Sequence, residues 1–388
     1  MNLKSAMAVG AAFGILGLGS AFATFARVES MGKNTTYIMD DVSIFDNPAN
    51  VNLYPNYLIG EFGLYNENVQ VGENMDPQHP NFGGIFSLGL GKGEYPDPRL
   101  TIGGLFGRMD SELGRFLPTN VILPNGNTSE VPETVTNFDG FLGGTLANGN
   151  ALGLHIFLAH QDGGRQVSDG SYQPDYSAYA SVVRADGGIN WQLGSNADLE
   201  LAFGLARIQY GNEHKNFFDD GDFSYLGKAR AFFSLEALDG ELVPALSAHF
   251  IQAPGIEDIR AQVGVGINVA LDRGFFWLGV DFIWNKMEAG NWSFNHETGE
   301  TTYDASAERD YRDEKEEIGG QISFGIERNI WWDWFVIRVG GKKSILYTDC
   351  DRHWANAGKT DGLCPTDGNY FSTNPLGNGT ADDHVGFG

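Results

Sequence analysis

Two histidines, four cations and two cysteines are the side chains of this chain that invite a chemical role. His155 and His249 lie in alternating segments, at positions opposite the apolar side of each segment. A histidine so placed is a candidate proton carrier. No spacing fixes an acid beside either one, and a solvated histidine is the competing reading. Lys228, Arg230, Arg338 and Lys342 share that parity. Cations there would meet a carboxylate, either that of a ligand or that of Glu200, Glu236, Asp281 or Glu327 on the same face. Cys350 and Cys364 are close together in a polar stretch with no histidine pair at ligand spacing, and one loop disulfide is their simplest use in an exported chain. Asp219-Asp220-Gly221-Asp222 offers oxygen ligands to Ca²⁺ but lacks the twelve-residue spacing of a helix-loop-helix calcium site. There is no G-x-S-x-G elbow, H-E-x-x-H, phosphate-binding loop or complete dinucleotide fingerprint. No catalytic residue, resident metal or cofactor is therefore assigned, and the chain reads as something other than an enzyme.

These side chains are positioned by short segments with a period of two, the signature of strands with two different faces. In Ala151–His160, Leu152, Leu154, Ile156 and Leu158 oppose Gly153, His155, Phe157 and Ala159. In Asp198–Gln209, Leu199, Leu201, Phe203 and Leu205 oppose Glu200, Ala202, Gly204 and Ala206. Phe276, Leu278, Val280, Phe282 and Trp284 likewise oppose Trp277, Gly279, Asp281, Ile283 and Asn285. Such alternation suits a soluble sandwich with its apolar face inward, and equally a membrane barrel with that face toward lipid.

The connections separate the two. Tight links at Asn148–Asn150, Gly194–Ala197, Asp239-Gly240 and Asp272–Gly274 carry the Asn, Asp and Gly of hairpin turns. They alternate with long links such as Met109–Thr136, Tyr210–Leu226 and Lys286–Lys315, a series that also takes in a moderate link at Ala253–Asp258. Short turns at one end and long loops at the other are the plan of an outer-membrane barrel. Counting segments from Asn56 to His384 gives about 14 strands. The fold expected is all-β, a transmembrane antiparallel β-barrel over residues 56–388, its last strand incomplete at His384–Gly388. Trp331, Trp332 and Trp334 follow a short turn, while Trp284 and Tyr347 close the opposite ends of their strands, as two aromatic girdles would.

The N-terminus agrees with that compartment. Lys4, the apolar run Ala6–Leu18 and Ala21-Phe22-Ala23 form a cleavable signal peptide over residues 1–23; the run is short for a membrane anchor. The formal charge of −25 becomes −26 once Lys4 is removed, which excludes a nucleic-acid partner.

Residues 24–55 separate the signal from the first strand. They contain Arg27, Met31-Gly32, Asp40-Asp41, Ser43, Phe45 and Asn47-Pro48-Ala49. This pattern resembles the N-terminus of the long-chain fatty-acid transporter (FadL) superfamily, which includes the outer-membrane shuttle barrels of type IX secretion. The resemblance implies a 14-stranded barrel with a small hatch in its lumen, built here on Arg27, Met31, Gly32, Asp40, Asp41, Asn47, Pro48 and Ala49. Asn50 and Val51 stand where the family has Gly and Leu or Met; Asn50 tolerates the left-handed conformation that keeps such a turn.

A transporter of this kind needs apolar capture and a cationic lumen. Leu113, Phe116, Leu117, Val121, Ile122 and Leu123 make the Met109–Thr136 link unusually apolar, so that it either captures hydrophobic molecules or folds on itself. Arg230 and Arg338 are the lumen cations assigned to substrate. The expected function is gated diffusion of hydrophobic or amphipathic small molecules across the bacterial outer membrane. The alternatives are a binding or secretion-shuttle barrel engaging a secreted protein partner through its loops, and a general porin. Lys286–Lys315 holds 8 acidic residues, suited to solvated loop charge or to divalent bridging with lipopolysaccharide. Membrane lipid and lipopolysaccharide are the expected surroundings.

Overall fold

The period-two segments do form strands. A computed structural model describes residues 27–387 apart from 29, 33, 62–80, 91–97, 109, 115, 119, 123–127, 132–133, 135, 165, 168–177, 213–214, 217–222, 291, 295–300, 305–310, 331–334, 355–357 and 362–383. The signal peptide, Leu123, the Asp219–Asp222 cluster, Trp331, Trp332, Trp334 and Cys364 lie outside the described residues, and so does the Cys350–Cys364 bridge.

The principal sheet runs in chain order through β1 (Tyr57–Glu61), β2 (Asn81–Gly89), β3 (Arg99–Phe106), β4 (Asn137–Thr145), β5 (Ala151–Gly164), β6 (Ala178–Gln192), β7 (Ala197–Asn212), β8 (Ser224–Leu235), β9 (Gly240–Ala253), β10 (Ile256–Leu271), β11 (Gly274–Gly290), β12 (Tyr311–Asn329) and β13 (Val336–Trp354). Every neighbouring pair along this path is antiparallel. The short strand His384–Phe387 pairs with Val339–Lys342 of β13, and Gly358–Asp361 pairs with its far end. No helix among the described residues is long and apolar enough to cross a membrane.

Short turns stand near the expected places, but the one expected at Asp239-Gly240 is longer, because β8 ends at Leu235 and a 3₁₀ turn, Glu236–Leu238, precedes Asp239. Gly149, Asp239 and Arg273 take positive φ of 86°, 47° and 65°, the conformation that antiparallel hairpins of this twist require. Ala253–Asp258 differs from the moderate link expected: it is a two-residue turn at Pro254-Gly255, with Gly255 at φ 72°, and β9 and β10 run straight into it. Strands β5 to β13 also extend beyond the apolar runs at their long-link ends, because ladder pairing continues through charged sequence. Lys286 opposes Glu316, and Glu288 opposes Glu314.

The two faces of the sheet are inverted relative to a water-soluble protein. Leu154, Phe203, Val280, Phe282, Ile322 and Ile345 are exposed, and the same side of the sheet stays apolar from strand to strand. The opposite face buries His155, Arg184, Asp186, Glu200, Arg230, Asp281, Glu317 and Gln321. A soluble sandwich would have these two faces reversed.

The sheet curls around its polar face. Glu327 on β12 bonds Arg27, Arg27 bonds Asp40, and the neighbouring Asp41 bonds Tyr57 on β1. Eleven strand spacings of a flat sheet separate β1 from β12 by roughly 53 Å. The side-chain relay between them reaches at most about 30 Å at full extension.

A smaller sheet, absent from the sequence expectation, assembles from the long links: Trp292–Phe294, Thr301–Asp304, Asn120–Ile122, Thr128–Glu130 and Gln166–Val167. Its strands are only two to four residues long, too short to show a period.

Candidate functional site

Described residues of the segment 27–56 lie against the polar face. This segment is largely irregular, with an α-helical turn at Ser43–Asp46, a 3₁₀ turn at Pro48–Leu53 and helical residues at Arg27, Val28 and Ser30. Pro48 starts the second turn because its fixed φ suits a first helical position, and the Asn47 side chain caps it by accepting from Ala49 N at 3.1 Å.

Three contacts hold the segment at its ends and middle. Met31 is fully buried, and its backbone lies where a side chain at Gly340 of β13 would sit. Tyr37 donates to Asp281 and packs near Trp277, with ring centroids 6.3 Å apart. Burial and the Asp281 carboxylate push the Tyr37 phenol well up, so it remains the donor. Asn47 and Pro48 press on Gly188 and Gly153, where any Cβ would collide with them.

Charge-assisted bonds add to this seat. Arg230 bonds Glu200 at 2.6 Å through Nε and donates from Nη1 to the carbonyls of Thr35, Thr36 and Ile38. Lys228 reaches Asp46 at 2.6 Å. Arg338 bonds Glu327 at 2.6 Å, and the same carboxylate takes Arg27 at 2.8 Å. Arg230 and Arg338, assigned from sequence to substrate, are thus engaged internally, the other fate the sequence left open. Lys228 behaves likewise, with Asp46 as a partner that its strand parity did not suggest.

All eight residues of the expected hatch lie on the polar face or close to it, tied to β1, β5, β6 and β11 to β13. Asn50 differs from the expectation. It sits inside the 3₁₀ turn and is absent from the left-handed residues. Its side chain makes the difference: Oδ1 accepts from Asn190 at 2.7 Å, and Nδ2 donates to Ser43 Oγ at 3.2 Å. Val51 is fully buried with Ile44, Ile59, Ile85, Leu105 and Phe141.

Farther along the same face lies a network that the sequence reading missed. His155 meets Asp139 at 2.8 Å and Asp186 at 2.7 Å. Arg108 binds Asp139 at 2.6 Å and Arg184 binds Asp186 at 2.8 Å. Both acids that escaped spacing analysis for His155 come from neighbouring strands, β4 and β6. His249 finds Asp258 on β10 at 2.9 Å. The available signal was the strand parity of Arg184 and Asp186, which alternate with Val183 and Ala185. Arg108 stacks on Phe45 with its guanidinium carbon 4.1 Å from the ring centroid, joining this network to the N-terminal segment.

The link after β3 closes over the network. Asp110 caps the single helical turn Ser111–Gly114, accepting from Glu112 N and Leu113 N. Leu113 and Phe116 are fully buried among Phe157, Val182, Ile208, Leu226, Ile251, Ile256 and Met287 of β5 to β11. Val121 is buried with Val131, Ala180 and Tyr210; Leu117 packs beside both clusters, and Ile122 is half-buried. The link thus combines burial against the sheet with some packing on itself. Leu113 and Phe116 pack into the sheet, while Val121 packs partly on Val131 of the same link, whose residues 120–122 pair with 128–130, so that part of the link does fold on itself.

Among the described residues no cluster of His, Cys, Asp or Glu is arranged to hold a metal. No family model, no curated protein and no solved structure matches this chain.

Proposed function

We propose that the chain is a bacterial outer-membrane β-barrel of the fatty-acid-transporter-like type, whose lumen is occupied by residues 27–55 and which passes hydrophobic or amphipathic small molecules by gated diffusion. The observation that carries the reading is the inverted sheet: a continuous exposed apolar face around a buried polar one. Exposed apolar area on this scale is stable only against an apolar medium or a partner. The antiparallel path, the tight turns at one end and the curl that brings β12 toward β1 are what a closed barrel of about 14 strands needs. The seated N-terminal segment answers to the hatch implied by the sequence resemblance.

A permanently open general porin fits an occupied lumen poorly. A shuttle barrel engaging a secreted partner shares the same architecture and differs in what it carries.

Uptake of a fluorescent acyl carboxylate into proteoliposomes tests the reading, with intact protein compared against a deletion of residues 24–50. Transport by the intact protein that rises or becomes ungated on deletion supports it. No transport by either form sinks it, and recovery of a secreted protein bound to the barrel would favour the shuttle.

A further inference from the structure

From Met31 to Val51 the N-terminal segment crosses the polar face and meets the strands in a largely reversed chain order, β13 first and β4 last. Met31 lies on Gly340 of β13, and Asn34 Nδ2 donates to Ser323 of β12 at 2.9 Å. The Tyr37 ring covers Gly279 of β11 and Gly266 of β10, and Ile38 shares a cluster with Phe232 of β8 and Val243 of β9. Lys228 of β8 donates to Asp46, Asn50 Nδ2 donates to Glu200 of β7 at 3.5 Å, and Asn47 Nδ2 donates to Asn190 of β6 at 2.6 Å. Pro48 lies on Gly153 of β5, and Val51 on Gly143 of β4. We infer that this segment is the template on which the sheet curls, and that the polar face is a peptide-binding site which also takes the same sequence supplied as a separate peptide.

Three observations carry this. The first is fit. Gly340, Gly279, Gly266, Gly188, Gly153 and Gly143 stand on six strands, and at each a Cβ would come within 2.5 Å of an atom of the segment. The sheet is cut to the segment along its whole path, which is more than a tether at one end needs. The second is connection. Among the described residues β1 pairs with β2 alone, whereas Glu327, Arg27 and Asp40, then Asp41 and Tyr57, tie β12 to β1 through the segment. The third is charge. Curling brings Glu200, Asp281 and Glu327 onto one concave face of an acidic chain, and the segment meets them with Asn50, Tyr37 and Arg27. Pairing between distant strands is slow, because the entropy of loop closure is lost before the contacts form. A segment that precedes every strand in the sequence and touches ten of them lowers that barrier by holding them against one common axis. The inference rests on the seat of the segment and is independent of what the barrel carries.

The test refolds the whole chain from urea into detergent micelles and follows the folded form, which runs apart from the heat-denatured chain on a gel. The double variant R27A/Y37A removes the segment's ties to β11 and β12 and changes no strand residue. It is expected to refold about tenfold more slowly than the parent protein. A synthetic peptide of residues 27–56 is expected to restore the parent rate, while a peptide carrying the same two changes does not. G279V fills the notch under Tyr37, so the parent peptide is expected to leave its slow refolding unchanged. The comparison of the two peptides decides the matter even where R27A/Y37A does not fold unaided. An unchanged rate in R27A/Y37A, no rescue by the parent peptide, equal rescue by both peptides, or rescue of G279V would each overturn the inference. Refolding that behaves as expected in a protein that moves no acyl carboxylate leaves the inference standing and removes the transport reading. Transport by a protein whose refolding ignores the segment does the reverse.

Discussion

The carbonyl of Pro48 lies 2.2 Å from where a Cβ on Gly153 would stand. Pro48 and Gly153 are therefore a matched pair: the N-terminal segment seats only because β5 carries no side chain at that position. Real Cβ atoms do not tolerate such a distance, so Gly153→Ala must push the turn at Asn47–Ala49 off the sheet. Overpacking of this kind costs about 1–3 kcal/mol. The expected outcome is a folded sheet with residues 40–52 newly open to protease. Gly89→Ala, where a Cβ would meet nothing within 4 Å, is the control. Equal protease resistance in the two variants would show that the segment is not seated on Gly153.

Arg230 fastens that segment at several points. Its side chain joins Glu200 to three backbone carbonyls between Thr35 and Ile38. Arg230→Ala removes the cation from the buried Glu200 carboxylate, which keeps Asn50 Nδ2 at 3.5 Å, and removes a donor from those carbonyls, a loss of about 3–5 kcal/mol when one partner of a buried pair is removed. Arg230→Lys should rescue little, because an ammonium lacks the planar fork that serves both directions at once. Hydrogen exchange at residues 34–40 reads the effect. Protection in Arg230→Lys that equals the parent protein would contradict the role given to the fork.

How much of this was legible beforehand follows from what each feature depends on. The strand sides of Leu154 and His155, and of Val280 and Asp281, were readable because a period of two is a local property of the chain. The partners of His155 were not, because Asp139 and Asp186 reach it across strand register, and register is set by turns on both sides of β5. The fates of Arg230 and Arg338 stayed open for the same reason: parity shows that a cation points inward but not what waits there. Leu113 and Phe116 announced themselves as misplaced apolar residues in a link. Their chamber is assembled from seven strands, each contributing one or two side chains, and no window of sequence contains it. Asn50 was misjudged because its tolerance of positive φ was weighed while its amide was not.

The docking of the link over the network carries a pH dependence. Burial pushes the Glu112 carboxyl up, but Lys228, the His249 hydrogen bond and Arg184 outweigh it and hold the carboxyl well below its ordinary value. A carboxyl whose folded value is depressed stabilises the docked form fully above its free value, near 4.3, and loses that contribution as pH falls through the lower docked value. Asp46 acts in the same direction: burial pushes it up, and Lys228 together with the Thr35 hydrogen bond brings it down. Protection factors at residues 113 and 116, corrected for intrinsic exchange, should stay level from neutral pH to about 4.5 and fall below it. Glu112→Gln should lower protection at neutral pH and flatten that acid limb. Undocking that begins between pH 6 and 8 as the pH is lowered would contradict the assigned pairing.

The exposed face supplies the sharpest test of the membrane reading. Leu154 is 57% exposed, inside the apolar run Leu152–Leu158 of β5, with Leu142 beside it on β4 and Gly187 on β6. In water, a charge at such a position changes stability by no more than about 0.5 kcal/mol. At the middle of a bilayer an arginine on the lipid face of a barrel costs about 2–4 kcal/mol. Leu154→Arg should therefore lower the stability of protein refolded into phosphatidylcholine vesicles by that amount, measured by denaturant titration. Glu316→Arg, on the same face but in the charged zone beyond Ile318 on β12, should cost no more than about 1 kcal/mol, as expected near the interface. The difference between the two sites is a depth profile, which only a bilayer imposes. Equal and small effects at Leu154 and Glu316 would mean that the apolar face meets something other than lipid.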